Sequence, residues 1–283
     1  MPPEVGSAVL SRIRLYPIKS LSPVEVPEAR IGRTGGLLRD RVWALYAADG
    51  RWINGKRSPA IHFLEARFGA DLASVELSVS QAPSQSAGRS RTGPGRAVFA
   101  FPADTVGAAE WFSAYFAEPV TVRHSDDGFP DDDVAPGPTI LSTASLEAVR
   151  SWFPQVSLES ARLRFRANLE LGGMLAFEED RLFAAEKSET LRFGIGEVDF
   201  EGSNPCARCG VPPRDPFTAE AIPDFQRQFA SLRMANLPAW SPASRFDHFY
   251  RLAVNTRLPP SEAGKALRVG DALSLRWELA TGR

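Results

Sequence analysis

Apolar residues near the start of the chain recur close to every second position, at Val9, Ile13, Leu15, Ile18, Val24 and Val26, and Pro17 and Pro23 cut the run into short strands. The same reading applies further on. Gly32, Gly35 and Gly36 turn the chain into a buried strand over Val42–Tyr46, which ends at the turn Asp49-Gly50. Further strands are expected at Val75–Val79, Val120–Val122, Ala167–Leu171, Leu191–Phe193, Val198–Phe200, Phe249–Val254 and Ala272–Trp277. Helical spacing is confined to three places: Gly107–Ala117 with Trp111, Tyr115 and Phe116; a helix capped by Ser142 that buries Leu146, Val149 and Phe153; and Asp224–Met234. This element order predicts an α+β fold, mostly β, rather than βαβ repeats. The expected plan is an N-terminal β-barrel-like domain over residues 1–125 and a second β-barrel with a few peripheral helices over 126–283. The Asp126–Pro138 stretch, with Asp131-Asp132-Asp133 among Gly and Pro, serves as the linker. Gln81–Arg96, rich in Ser, Gly, Pro and Arg, is expected to be a loop between two strands.

With 283 residues, 43% of them hydrophobic, the chain can fill one large or two medium cores. Its 33 Lys and Arg nearly cancel its 34 Asp and Glu, so no global field draws it to nucleic acid or to an anionic membrane surface. Any anion site must be local. No leader pattern and no bilayer-length apolar segment is seen, and a cytoplasmic location with no membrane partner is the expectation.

The first chemical clue is the pairing of the only two cysteines, Cys206 and Cys209, in Asn204-Pro205-Cys206-Ala207-Arg208-Cys209. Such clustering excludes a disulfide-stapled scaffold. The pair is expected in a rigid, turn-rich loop just after a strand, because Pro212-Pro213-Arg214-Asp215-Pro216 follows. A structural zinc site needs about four Cys or His ligands, and His62, His124 and His248 stand isolated. A thioredoxin-like dithiol belongs at a helix start in a βαβ unit, which is not the context here. Two readings stay open on residue types alone: one thiolate ligating a soft metal, with Arg208 favouring the ionised sulfur, and an inert buried cysteine pair.

Cys206-Ala207-Arg208-Cys209 followed by Asp215-Pro216-Phe217-Thr218-Ala219-Glu220 resembles the signature loop of MOSC domains, the C-terminal module of molybdenum cofactor sulfurases: Arg-Cys, a spacer, then Asp-Pro-x-Thr-Gly. Four further strings fall in the family's order. Leu15-Tyr16-Pro17-Ile18-Lys19-Ser20 and Leu38-Arg39-Asp40-Arg41-Val42-Trp43 resemble landmarks of the β-barrel that precedes the domain, Arg164-Phe165-Arg166-Ala167-Asn168-Leu169 its internal Phe-Arg-x-Asn element, and Val269-Gly270-Asp271 the turn of its closing strand. The spacer departs from the pattern at Pro212 and Pro213, and Ala219 stands where relatives carry glycine.

The resemblance points to the amidoxime-reducing components and their bacterial counterparts. It implies a molybdenum-pterin cofactor in its molybdopterin form and reduction of N-hydroxylated compounds. Cys209 would be the metal ligand and catalytic position, with Cys206 outside that role. Lys19, Ser20, Arg41, Arg166, Asn168 and Arg208 would anchor the cofactor, and Ser142, Thr143 and Ser145, at the start of their helix, would receive its phosphate. Arg166 is expected on a strand facing the barrel interior, where a guanidinium needs an anion. No additional cysteine set could hold an iron-sulfur cluster. Electrons would therefore come from a separate protein of iron-sulfur, flavin or cytochrome type. The alternative is a carrier that binds the cofactor or its sulfur without turnover.

Overall fold

The structure, a computed structural model, describes residues 8–80 and 93–281, with side chains through residue 275. The elements of the first part are β1 (Val9–Leu15), β2 (Val24–Val26), β3 (Glu28–Arg30), β4 (Trp43–Ala47), β5 (Leu64–Phe68), β6 (Ser74–Val79), β7 (Ala97–Ala100), α1 (Thr105–Phe116) and β8 (Val120–His124). The second part supplies β9 (Ile140–Ser142), α2 (Thr143–Trp152), α3 (Leu158–Phe165), β10 (Leu169–Gly172), β11 (Glu189–Ile195), β12 (Val198–Ala207), α4 (Phe225–Ala235), β13 (Arg251–Arg257), β14 (Ala266–Arg268) and β15 (Leu273–Thr281). Strand dominates, as the period-two pattern predicts. Positions 81–92 of the expected Gln81–Arg96 loop lie outside the described residues.

The main sheet has eight strands in the order β15-β11-β12-β13-β9-β10-β1-β2. It is an open ladder that curls toward a barrel. Val9 of β1 bridges Ala272 at the start of β15, and Leu10 N–H donates to the Asp271 carbonyl at 2.8 Å, so the N-terminal strand meets the far end of the sheet. The strand β1, from the first part of the sequence, therefore completes a sheet built mostly from the second, and β3 likewise pairs with β14. Leu10, Ile13 and Leu15 point into the core under this sheet with Leu169, Leu171, Phe193, Phe200 and Val254. A separate core belongs to the first part alone, where Ile18, Leu45, Val75, Leu77, Phe112 and Val120 pack between the β5-β6-β7 sheet, the β4-β8 pair and α1. Burial of two such sets of side chains is the main favourable term for a domain of this size.

Two elements depart from the sequence pattern. Residues 158–165 form a helix that no apolar periodicity announces; Ser157 caps it by accepting from Ser160 N–H at 3.1 Å, and only Ala161 and Phe165 among its apolar residues are buried. Together α2 and α3 carry the chain between β9 and β10, which pair in parallel, so one crossover does occur in this fold. Strand β12 also runs through Pro205 and Cys206 to Ala207, past the point where the sequence suggested a loop. Its register with β11 ends at Gly202, and beyond that it ladders with β13 through irregular steps, so the missing N–H of Pro205 costs no bond to β11. Gly202 itself is required, because a Cβ there would lie 1.5 Å from the Leu182 carbonyl oxygen.

Candidate functional site

The two N-terminal strings lie side by side. Ile18 bridges Trp43 in parallel, Lys19 N–H donates to the Trp43 carbonyl at 2.7 Å, Arg41 N–H to Tyr16 O at 2.9 Å, and Tyr16 N–H to Asp40 Oδ1 at 2.7 Å. This pairing fixes two cations at one edge. Lys19 is only 7% exposed, and its ammonium lies 4.1 Å from the Trp52 ring centre while donating to the carbonyls of Phe129 and Pro130 at 2.8 and 3.1 Å. Arg41 donates to Asp40 and, at 3.2 Å, to Asn168 Oδ1.

A third cation comes from the end of α3. Arg166 is the C-cap in the left-handed conformation rather than a strand residue, and β10 begins only at Leu169. That geometry lays its guanidinium 4.1 Å from the Tyr16 ring centre, donating to Leu21 O at 2.9 Å. Ser20, Arg41 and Arg166 all have positive φ (72°, 53° and 52°). Left-handed backbone at three non-glycine positions around one space costs of order 1 kcal/mol each and is concentrated at functional sites. Asn168 ties the parts together: its amide donates to Arg14 O at 3.0 Å and its carbonyl accepts from Arg41.

The linker supplies the facing anion. Asp131 pairs with Lys19 at 2.9 Å and with Arg41 at 3.6 Å, although its own side chain is 70% exposed. Burial of the surroundings would raise this carboxyl, but Arg41, Lys19 and Arg166 outweigh it and hold the pKa at about 2. The Lys19 ammonium shifts the other way, lowered by desolvation against the pull of Asp131.

The thiols close the opposite wall. Cys206 is the penultimate residue of β12 and Cys209 follows the strand; both are free and half-buried. Arg208, between them, donates to Cys206 Sγ at 3.0 Å and to the Phe165 carbonyl, leaving its buried Nε without a partner. Desolvation lowers the Arg208 pKa, but the two sulfurs and Tyr250 reverse that and raise it, so this guanidinium stays charged beside both thiols. Tyr250 donates its hydroxyl to Cys209 O at 3.1 Å. The loop that follows is clamped by Arg164, 3% exposed, which donates to Pro212 O at 2.9 Å and pairs with Asp215 at 3.0 Å. Ala219 takes φ 58°, so this loop keeps the left-handed turn a glycine would favour.

Between these walls opens a cleft of about 740 Å³ lined by Lys19, Ser20, Arg41, Arg166, Asn168, Arg208 and Cys209, seven of the ten residues singled out in the sequence. The other three are elsewhere. Ser142 is a plain N-cap, accepting from Ser145 N–H at 3.1 Å; Ser145 Oγ donates to Glu179 at 2.7 Å, and Thr143 Oγ1 to Glu170 at 2.8 Å. Ser142 and Ser145 are fully buried and none of the trio lines the cleft, so the fold does not bring these three together with the other seven. The sequence reading missed Trp52, Asp131, Asn255 and Arg164, which also line the cleft. Arg164 had a signal, since it stands in the Arg164-Phe165-Arg166 string; Trp52 and Asn255 had none.

Comparison with known proteins supplies the context. The MOSC N-terminal beta barrel domain family matches residues 7–119 and the MOSC domain family residues 139–274. The chain is 27% identical over 246 residues to mitochondrial amidoxime reducing component 2 of Bos taurus, covering 76% of this chain and 68% of that protein. Against mitochondrial amidoxime-reducing component 1 of Xenopus laevis it is 28% identical over 210 residues, 62% of this chain and 59% of the relative. Against the molybdenum cofactor sulfurase of Danio rerio it is 25% identical over 265 residues, 81% of this chain but 31% of the relative. It thus spans about two thirds or less of each of these relatives. Among the described residues no helix is long and apolar enough to cross a membrane.

Proposed function

This chain belongs to the MOSC proteins that carry a MOSC N-terminal β-barrel domain, and we propose that its cleft holds a molybdenum-pterin cofactor on Cys209 and that the protein is an oxidoreductase reducing N-hydroxylated compounds. The observation that carries the reading is the opposition of a half-buried thiol, next to a charged Arg208, to three cations, Lys19, Arg41 and Arg166, whose close carboxylates among the described residues are Asp40, beside Arg41, and the exposed linker residue Asp131. The donor set fits the group. Among the described residues no three His, Cys, Asp or Glu side chains converge, so a metal at Cys209 takes its other ligands from a molecule that brings them, as a pterin dithiolene does. An anionic cofactor also needs cations that are pre-paid and reachable: Lys19 and Arg166 are held by backbone carbonyls and aromatic rings, and Arg41 by the side chains of Asp40 and Asn168.

When bound, the group supplies a two-electron redox centre for removing the N-bound oxygen, with two electrons and two protons converting R–NHOH to R–NH2 and water. The chain's own residues do the rest. Cys209 anchors through sulfur, Arg208 stabilises the anionic form of that sulfur, Arg164 and Tyr250 hold the loop that carries it, and Lys19, Arg41 and Arg166 neutralise the cofactor's charge. Electrons come from a separate donor protein of flavin, cytochrome or iron-sulfur type.

The test begins with protein purified from a host that makes the cofactor, assayed for molybdenum by elemental analysis and for the released, oxidised pterin by fluorescence. Near-stoichiometric metal and pterin in the wild type, with loss of the metal in Cys209→Ser at an unchanged melting temperature, is the expected result; metal retained by that variant removes Cys209 from the site. Reduction of benzamidoxime by the loaded protein with a chemical or protein donor then separates enzyme from carrier. Full loading with no turnover would favour the carrier.

A further inference from the structure

Next to the cleft, across a wall that includes Ser20, Gly55, Arg166 and Val211, lies a second cavity of about 370 Å³. Its size suits a small organic molecule. Apolar side chains reach it from both parts of the fold: Leu21, Ile61 and Leu64 from the first, and Phe217, itself 48% exposed, from the loop after Cys209. The charges around it do not balance. Glu65 faces Arg67 at 3.5 Å, Glu159 is held by Arg14 at 2.9 Å and Arg162 at 3.5 Å, and Arg164 is paired with Asp215. Arg166 and Arg214 donate instead to backbone carbonyls, of Leu21 at 2.9 Å and Ala219 at 3.4 Å, and neither touches a carboxylate among the described residues.

His62 sits under these two arginines. Its buried Nε2 has no hydrogen-bond partner, and burial, then Arg166 and Arg214, push its pKa down to about 4, so it adds no charge of its own. The Arg214 guanidinium, which lines this cavity and not the cleft, together with the shared Arg166 over apolar walls, is the complement of a carboxylate on a flat apolar body.

We propose that this second cavity binds a small-molecule carboxylate, its anion received by Arg214 and Arg166 and its aromatic or branched body lying against Leu21, Ile61, Leu64 and Phe217. Resting on the reductase reading above, this acid is the non-reacting end of the N-hydroxylated substrate, whose other end passes Gly55 into the cleft. Gly55 lines both spaces and packs closely, since a side chain there would meet His62 Nε2 at 3.1 Å and Val211 at 3.2 Å.

The binding claim is tested without turnover, by nuclear magnetic resonance titration of the histidines His62, His124 and His248 with benzoate as the probe. An anion beside the arginines relieves their repulsion, so benzoate is expected to raise the His62 pKa by about one unit while leaving His124 and His248 in place. Arg214→Met should weaken benzoate at least about tenfold, the scale of a lost charge-assisted hydrogen bond. Phe217→Ala should weaken benzoate but not inorganic phosphate. Phosphate moving His62 at lower concentration than benzoate would make the cavity a phosphate site for the cofactor and overturn the proposal, as would no shift with benzoate. In loaded protein, 4-carboxybenzamidoxime should show a lower KM than benzamidoxime, a difference that Arg214→Met removes. Benzoate binding with neither amidoxime reduced would leave this site standing and sink the reductase reading; both reduced with equal KM and no benzoate binding would do the reverse.

Discussion

Two groups of buried charge in this molecule are held in opposite ways. Beside α4, Arg233 is 1% exposed and pairs with Asp180, 4% exposed, which also accepts from Ser241 Oγ at 2.7 Å, with the Phe177 ring 4.1 Å from the guanidinium. At the cleft, Lys19 and Arg41 are largely enclosed and Arg41 has Asp40 beside it, yet the carboxylate the two cations share belongs to Asp131, on the exposed linker. In the first group both members are interior, and losing either strands the other. In the second the shared anion is 70% exposed, so its loss leaves Lys19 and Arg41 facing the open cleft rather than a closed interior. On the function proposed above, the difference separates a charge pair that serves the fold from one that keeps a binding site charged for its ligand.

The largest effect expected from this contrast is structural. Asp180→Ala should cost about 3–5 kcal/mol, because it leaves Arg233 buried with no carboxylate, and two of its nitrogens already have no partner. Urea unfolding measures it. A loss under about 1 kcal/mol, the range of surface pairs, would erase the distinction between the two groups.

The neighbouring Glu179 gives a second handle through its sign. Burial, and after it the charge of Asp180, pushes the Glu179 carboxyl up to about 7 despite the hydrogen bond from Ser145. The native state then holds this proton more tightly than the unfolded chain, whose carboxyl titrates near 4.5. Stability from this group is greatest below pH 4.5, declines as pH rises through 7, and is level beyond. Glu179→Gln should remove that decline; a decline that persists in the variant would place the titration elsewhere.

How far these features could be read in advance follows from their range along the chain. A short strand with alternating burial, such as β6, is local and was legible, and the cleft residues Lys19, Arg41, Arg166 and Cys209 were legible because they stand inside recognisable strings. Helix α3 was not, since its eight residues bury too few apolar side chains to show a period. Nor was the continuation of β12 through Pro205, which depends on where its neighbour β11 stops. The helix start at Ser142 was recognised correctly as a cap, but whether a cap faces a ligand depends on what packs over it, here Glu179 from far along the sequence. Asp131 looked like linker because its meaning lies in cations more than eighty positions away; only the folded chain brings Lys19 and Arg41 to it.

The smallest effect on stability is expected at Asp131, and it decides the comparison most sharply. Its carboxyl is held near 2 against an ordinary value of 3.8, so its stabilisation is present above pH 4 and lost as pH falls through 2, the opposite sign to Glu179. With a side chain 70% exposed, the pair is screened, and Asp131→Asn should change stability at neutral pH by less than about 1 kcal/mol. Its effect on ligands should be larger. With the resident anion removed, Lys19 and Arg41 have one competitor fewer, and inorganic phosphate added to cofactor-free protein should bind several-fold more tightly in Asp131→Asn than in the wild type, as read by calorimetry. Weaker phosphate binding in the variant would mean that Asp131 holds the cations in position rather than in reserve, and the cleft pair would then belong with Arg233 and Asp180 as part of the fold.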